Sequence, residues 1–320
     1  MIKIKNKKGI EFSFGWIFAM VVGAMIIFLA VYAAFQIVGS ERTALEAESA
    51  KQLEMIMTPI ETGIESGKIA GPIVFASETR IYNTCKSEGN FGEQLISTST
   101  SMGVGKEWEE QGIPAKSYNK YLFSEDVVQG KEVYVFSKPF AMPFRISALL
   151  FLWTDKYCFV SPTNEIEYDV RELKLQNINM TDDITKCEKN SKKVCFYHEL
   201  DECDIKINPS QKSVTRDGKT VFYEGPLIWG AIFSKPELYE CQVKRLMKRA
   251  SELAMLYLAK SEDISTKSAG CSSNIQINLV TYANSAGQIS NSGEIAGIYF
   301  ISDELNSKNK EMTCKLWGEG

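Results

Sequence analysis

Between Glu11 and Glu41 the chain runs for 29 residues without a charged side chain, FSFGWIFAMVVGAMIIFLAVYAAFQIVGS. A helix rises about 1.5 Å per residue, so about 20 apolar residues already cross a hydrocarbon layer about 30 Å thick. A buried core helix rarely stays uncharged for so long. A cleavable secretory signal has a shorter apolar centre followed by a small-x-small cut site. Residues 12–38 therefore predict a transmembrane helix, which makes the lipid bilayer the chain's first partner. Lys3, Lys5, Lys7 and Lys8 precede the span, whereas Glu41, Arg42, Glu46 and Glu48 follow it. The positive-inside rule then places the tail 1–11 in the cytoplasm and the chain beyond residue 40 or so outside. Trp16 and Tyr32 fall near the two interfaces, where amphipathic rings settle. Gly15, Ala19 and Gly23 lie four apart on one stripe of the helix. That spacing lets a second helix approach closely, and it also arises simply because small residues are common in membrane helices.

The first 40 residues take four of the 36 basic side chains and one of the 40 acidic ones, so the other 280 carry 32 basic and 39 acidic. So acidic a body argues against nucleic acid as a partner, because that binding needs a strong positive field. The single His, His198, excludes any site built on two imidazoles. All eight Cys (Cys85, Cys158, Cys187, Cys195, Cys203, Cys241, Cys271 and Cys314) follow the span, none in a Cys-x-x-Cys pair. Outside the membrane such cysteines predict disulfides rather than a metal site. Eight Cys allow 105 pairings, which leaves the connectivity open. Reach disfavours one of them. Cys241 opens a predicted helix whose far end is about 30 Å away. The ten or so residues from there to Cys271 span only about 35 Å when taut.

After the span, Leu45, Ser49, Leu53, Ile56, Ile60 and Ile64 recur in steps of three and four, which predicts a helical stalk over 39–66. Pro59 predicts a kink or an end near Met57 or Thr58. A helix continuous from Ser13 would be roughly 70 Å long. The turn-rich SGKIAGP opens an ectodomain over 67–320. Residues 73–125 show no clear period. Residues 131–139, 144–153 and 156–162 read as strands, and 146–153 is apolar enough to be buried on both faces. Residues 164–176 predict a short helix, and KVCFYHEL and DECDIKINP predict strands. Asp217-Gly218 between two β-rich runs predicts a type I′ hairpin over 213–225. An amphipathic helix is predicted over 236–260, opened by a capping box of Ser234 and Glu237, with Pro236 in its first turn. Its apolar stripe is Tyr239, Val243, Leu246, Met247, Ala250, Leu253, Tyr257 and Leu258. Residues 274–284, 297–305 and 313–317 are expected as strands. The fold class is α+β, a mostly antiparallel sheet with one packed helix.

No phosphate-cradling Gly loop, nucleophile elbow, zinc-protease motif or calcium loop occurs, so no catalytic residue, metal or cofactor is predicted. Asp182-Asp183 and Glu109-Glu110 are acidic pairs that lack ligand spacing. Lys244, Arg245, Lys248 and Arg249 are expected on the helix face opposite the apolar stripe, either as a site for an anionic partner or as a solvated face. Asn179-Met180-Thr181 is an N-glycosylation acceptor sequence.

Lys7-Lys8-Gly9-Ile10-Glu11 directly before an apolar helix resembles the class III signal of type IV pilins and archaeal pilin-like proteins. The resemblance covers residues 1 to about 60. It implies cleavage after Gly9, a helix that packs into a filament core, and Glu11 beside a neighbouring N-terminal amine. The family's usual acid comes fifth after the cut, whereas Glu11 would be second. Three functions remain open. The first is a single-pass anchored protein that binds or assembles with other membrane or surface proteins, or with itself. The second is a pilin-like structural subunit, and the third is an anchored enzyme.

Overall fold

The computed structural model describes residues 15–36, 72–101, 108–197, 202–267, 271 and 274–318. The predicted tail with Gly9 and Glu11, the stalk 39–66 and His198 lie outside the described residues. Helix α1 (Gly15–Gln36) has 22 residues, and none of its most apolar window is buried inside the protein. It is the one helix among the described residues that is long and apolar enough to cross a membrane.

The remainder is α+β. Strands β1 (Ile73–Lys86), β2 (Glu93–Thr100), β3 (Ala115–Ser117), β4 (Tyr121–Phe123), β5 (Val127–Ala141) and β6 (Arg145–Trp153) form one sheet, in the order β3-β2-β1-β5-β6-β4. A second sheet, ordered β12-β11-β10-β9-β7-β8, takes β7 (Tyr157–Val160), β8 (Ile178–Thr181), β9 (Lys192–Phe196), β10 (Ile205–Asn208), β11 (Ser213–Arg216) and β12 (Lys219–Phe222). Antiparallel ladders join β3-β2-β1-β5-β6 and β10-β11-β12. Parallel ladders join β4 to β6, β7 to both β8 and β9, and β9 to β10.

The first sheet supplies its own inner core. Ile81, Ile96, Leu122, Val128, Val133, Val135, Leu150 and Leu152 all come from its strands, and none is more than 3% exposed. A flat sheet would need another layer over such a face. Here the long strands β1 and β5, with a register shift between Val74 and Thr79, coil the sheet over itself. The opposite face of β4, β5 and β6 carries Phe123, Phe136, Phe151 and Trp153. It packs on α3 (Leu227–Phe233), all seven residues of which are buried. Trp153 stacks on Phe233 at 4.8 Å, while Tyr157 and Phe159 of the second sheet meet Phe233 and Trp229 at 5.1 and 5.9 Å. The helix is apolar all round because aromatic side chains from both sheets surround it. Gly230 is required at that crossing, since a Cβ there would lie 2.6 Å from the ring of Phe123. Burial of β6 on both faces follows, as its sequence predicts.

The hairpin forms as expected, with Asp217 and Gly218 at φ of 52° and 73°. So do α2 (Asn164–Glu172) and α4, which runs on to Lys267 (Pro236–Lys267). The capping box does not form: Ser234 ends α3, its buried Oγ has no partner among the described residues, and Glu237 pairs with Lys219.

The three expected C-terminal strands are the largest correction. Residues 274–284 and 297–305 belong to helices α5 (Gln276–Gly287) and α6 (Ile295–Glu311), so several helices, not one, accompany the sheets, α5 lying against α4 and α6 against α5. Ile, Val and Tyr suggested strands by type, but the buried positions Leu279, Tyr282, Ala283 and Ala286, and Ile295, Ile298, Ser302, Leu305 and Asn309, step by three and four. Residues 313–317 form no strand. Asn309 accepts from Leu316 N at 2.7 Å and donates to Trp317 O at 3.0 Å, which ties this segment to α6 in place of a ladder.

All eight Cys are paired, as Cys85–Cys241, Cys158–Cys187, Cys195–Cys203 and Cys271–Cys314. The bridge disfavoured on reach is not among them.

Candidate functional site

The basic residues of α4 are placed differently from the expectation. Arg245 is fully buried, and all five of its N–H groups point at oxygens: Phe91 O, Lys120 O, Gln242 Oε1, Ser117 O and Tyr118 O, at 2.8–3.4 Å. Lys248 donates to Ser87 O and Gly89 O, and Arg249 to Ile146 O at 2.8 Å. Lys244 is half-buried. Much of this face therefore binds the protein's own carbonyls. The acidic pairs hold loops too. Asp183 caps the 3-10 turn Ile184–Lys186 by accepting from Thr185 N at 3.0 Å and Thr185 Oγ1 at 2.7 Å, and these bonds keep its carboxyl below the ordinary value. Glu109 accepts from Thr100 Oγ1 at 2.6 Å. Among the described residues no group of three or more His, Cys, Asp and Glu is placed to hold a metal ion. Asn179 is exposed on β8. On α1 a Cβ added at Gly15 or Gly23 would meet nothing within 4 Å, and Ala19 is exposed.

Charge concentrates where the two sheets meet. Glu125, in the turn between β4 and β5, accepts from Arg216 of β11 and from Lys192 of β9 at 2.6 Å, and Lys192 also reaches Asp155 at 2.7 Å. Arg216 donates onward to Ile232 O and Ser234 O at 3.1 and 3.2 Å. Burial raises the Glu125 carboxyl, but Arg216 and Lys192 together outweigh it and hold the group below its ordinary range. Tyr157 beside it is pushed upward, by burial first and then by Glu125. At neutral pH the acid is ionised and the phenol protonated, so the cluster is built to hold the sheets together rather than to pass a proton. A group with a depressed folded pKa stabilises fully above its unfolded value and loses that contribution as pH falls through the folded one. The unfolding midpoint in urea should therefore drop on acidification from neutrality to about pH 3, and Glu125→Gln should flatten that acid limb. An unchanged limb in the variant would remove Glu125 as its cause.

A cavity of about 420 Å³ opens between the β10–β11 turn, the end of β12 and the start of α6. The 3-10 turn Ser292–Glu294 fixes its wall: Ser292 Oγ accepts from Phe222 N at 2.9 Å, while Ser292 N and Oγ donate to Glu240 of α4 at 2.7 and 2.5 Å. The mouth carries three exposed rings, Phe222, Tyr299 and Phe300, the last 74% exposed. On the wall, the half-exposed Lys212 pairs with the buried Glu224 at 2.6 Å and lies 5.0 Å from the centre of the Tyr299 ring. Tyr223 lines the floor with its phenol pushed up to about 12, by burial first and then by Glu165, Tyr197 and Glu224. Flat apolar walls around a fixed ion pair suit a ligand with an apolar face and a polar edge. Reading residues 297–305 as a strand hid this site. On a helix, Tyr299 and Phe300 fall off the buried stripe of Ile295, Ile298 and Ser302, and aromatic rings outside a stripe are the signal that marks it. No family model, no curated protein and no solved structure matches the chain.

Proposed function

We infer that this chain is a single-pass membrane protein, N-terminus in the cytoplasm, whose disulfide-bonded α+β domain stands outside and serves in binding or assembly. The observation that carries the reading is the pairing of an apolar helix with no buried residue in its window and a domain in which every Cys is cross-linked. A 22-residue helix is about 33 Å long and leaves its apolar surface to lipid. Disulfides persist in oxidising compartments outside the cytoplasm. The aromatic cavity between β12 and α6 is the surface to which we assign binding. Protease added to intact cells should remove the mass beyond residue 40 or so and leave the Lys-rich tail protected. Protection of the large domain instead would overturn this orientation.

The pilin-like reading is the second. It draws support from Gly15 and Gly23, where the helix surface is open to a neighbour. The mass of the chain taken from its native membranes separates the two. A chain that keeps Lys3 to Lys8 fits the anchor, and one that begins at Ile10 fits the subunit.

A further inference from the structure

We propose that Asn179 carries an N-linked glycan whose first sugar rests in the hollow beside β8. This rests on the extracytoplasmic placement given above. Asn179-Met180-Thr181 is the one Asn-x-Ser/Thr tripeptide of the sequence without a central proline, since Asn208 is followed by Pro209. Its place in the fold is specific. In β8, Ile178 and Met180 pack against the aromatic core, so the alternation of the strand turns Asn179 to the opposite face, where on this edge strand it is exposed. Asn179 stands opposite Cys158 of β7 there, beside the Cys158–Cys187 bridge. Among the described residues no hydrogen bond engages its amide.

Next to it lies a hollow of about 200 Å³ lined by Lys156, Cys158, Asn177, Glu188 and Ser191. Lys156 and Glu188 pair across it at 2.8 Å. Room for one ring, donors and acceptors on the wall, and an asparagine at the rim make a seat for a polar sugar. The glycan also meets a physical need. The outer edge of β8 pairs with no strand among the described residues, whereas at the far end of the sheet Phe222 N of β12 is covered by Ser292. An open edge invites pairing with another chain, and a bulky hydrophilic group beside it prevents that. Thr181 Oγ1 exchanges hydrogen bonds with the Asp183 backbone at 3.1 and 3.2 Å, which fixes the third residue of the tripeptide in a turn.

The donor is a polyprenyl-phosphate-linked oligosaccharide. Asn179 Nδ2 bonds to its anomeric carbon, the carbon–oxygen bond to phosphate breaks, and the lipid phosphate leaves with the electron pair. The amide gives one proton to the base of the transferase.

The test is a tryptic digest, without reduction, of protein from its native membranes. Peptide 175–186 contains Asn179, and peptides 157–171 and 187–189 contain Cys158 and Cys187. The expected result is peptide 175–186 shifted by a glycan mass, together with 157–171 and 187–189 joined as one species. Asn179→Gln should abolish the shift and leave the joined species unchanged. An unshifted 175–186 beside the joined species overturns the glycan and leaves the extracytoplasmic placement standing. An unshifted 175–186 with both thiols free overturns the two together.

Discussion

Replacing Cys85 and Cys241 together by Ala should cost about 5 kcal/mol of stability, the largest loss among the four bridges. The bridge spans 156 residues and joins β1 to α4, whereas the others span 43, 29 and 8. If loop closure in the unfolded chain sets the contribution, these three are worth about 4, about 3.6 and about 2.5 kcal/mol. The shorter bridges Cys158–Cys187 and Cys195–Cys203 lie within the long loop and shorten it, but the dependence is logarithmic and moves the figure by only tenths of a kcal/mol. Urea unfolding of the four double variants should reproduce the order. A Cys195/Cys203 variant as destabilised as the Cys85/Cys241 one would refute loop closure as its cause.

The long bridge is one of several ties between α4 and the coiled sheet. Next to Cys241, Gln242 donates to Leu122 O at 3.0 Å and to Gln94 Oε1, and Gln94 in turn donates to Asn83. Asn83 also reaches Ser124 Oγ at 2.7 Å. This chain of amides runs through the core between β1, β2, β4 and α4, where an unpaired polar group would be costly, and these amides bond one another. Loss of the bridge would loosen the helix that completes the chain.

Elements whose partners are local were legible in the sequence. The β11–β12 hairpin needs only two residues with positive φ, and Asp217-Gly218 announces them. The α4 stripe and the apolar run of β6 are equally local signals. β1 and β2 were not legible, because their buried positions are largely Thr79, Asn83, Gln94, Ser97, Thr98 and Ser99, polar residues whose place in a core depends on partners far along the chain. Gln111 reaches Ser97 Oγ at 2.6 Å, and Tyr82 lies 3.4 Å from Ser99 Oγ. Helices α5 and α6 were misread because residue type spoke for strands while spacing spoke for helices, and in the folded chain the spacing won. Disulfide pairing was open for the same reason as β1 and β2: it is a property of the assembled fold.

Arg245→Ala should lose about 3–5 kcal/mol, far more than a basic residue on a solvated helix face. From the sequence, Arg245 is one of four cations clustered on α4, and truncating an exposed one would change stability by about 0.5 kcal/mol or less. The structure gives it another task. Among the described residues its guanidinium meets no carboxylate in its hydrogen bonds, and burial lowers its pKa, with only partial compensation from Tyr121 and Glu93. What holds the charge is a ring of carbonyl oxygens from residues 91, 117, 118 and 120, with Gln242 at 2.8 Å and the face of Tyr121 at 5.0 Å. The β1–β2 turn is folded over the side chain: at Gly92, with φ of 60°, a Cβ would lie 2.8 Å from Arg245 Cγ. Removing the guanidinium leaves several buried carbonyls without donors, and each such group costs about 1–3 kcal/mol. Arg245→Lys keeps the charge but offers three donors on a point in place of a planar fork of five. It should recover only part of the loss, so the urea midpoints should fall in the order native, Lys, Ala. An Ala variant within about 0.5 kcal/mol of the native protein would return Arg245 to the solvated face that its neighbours in the sequence suggested.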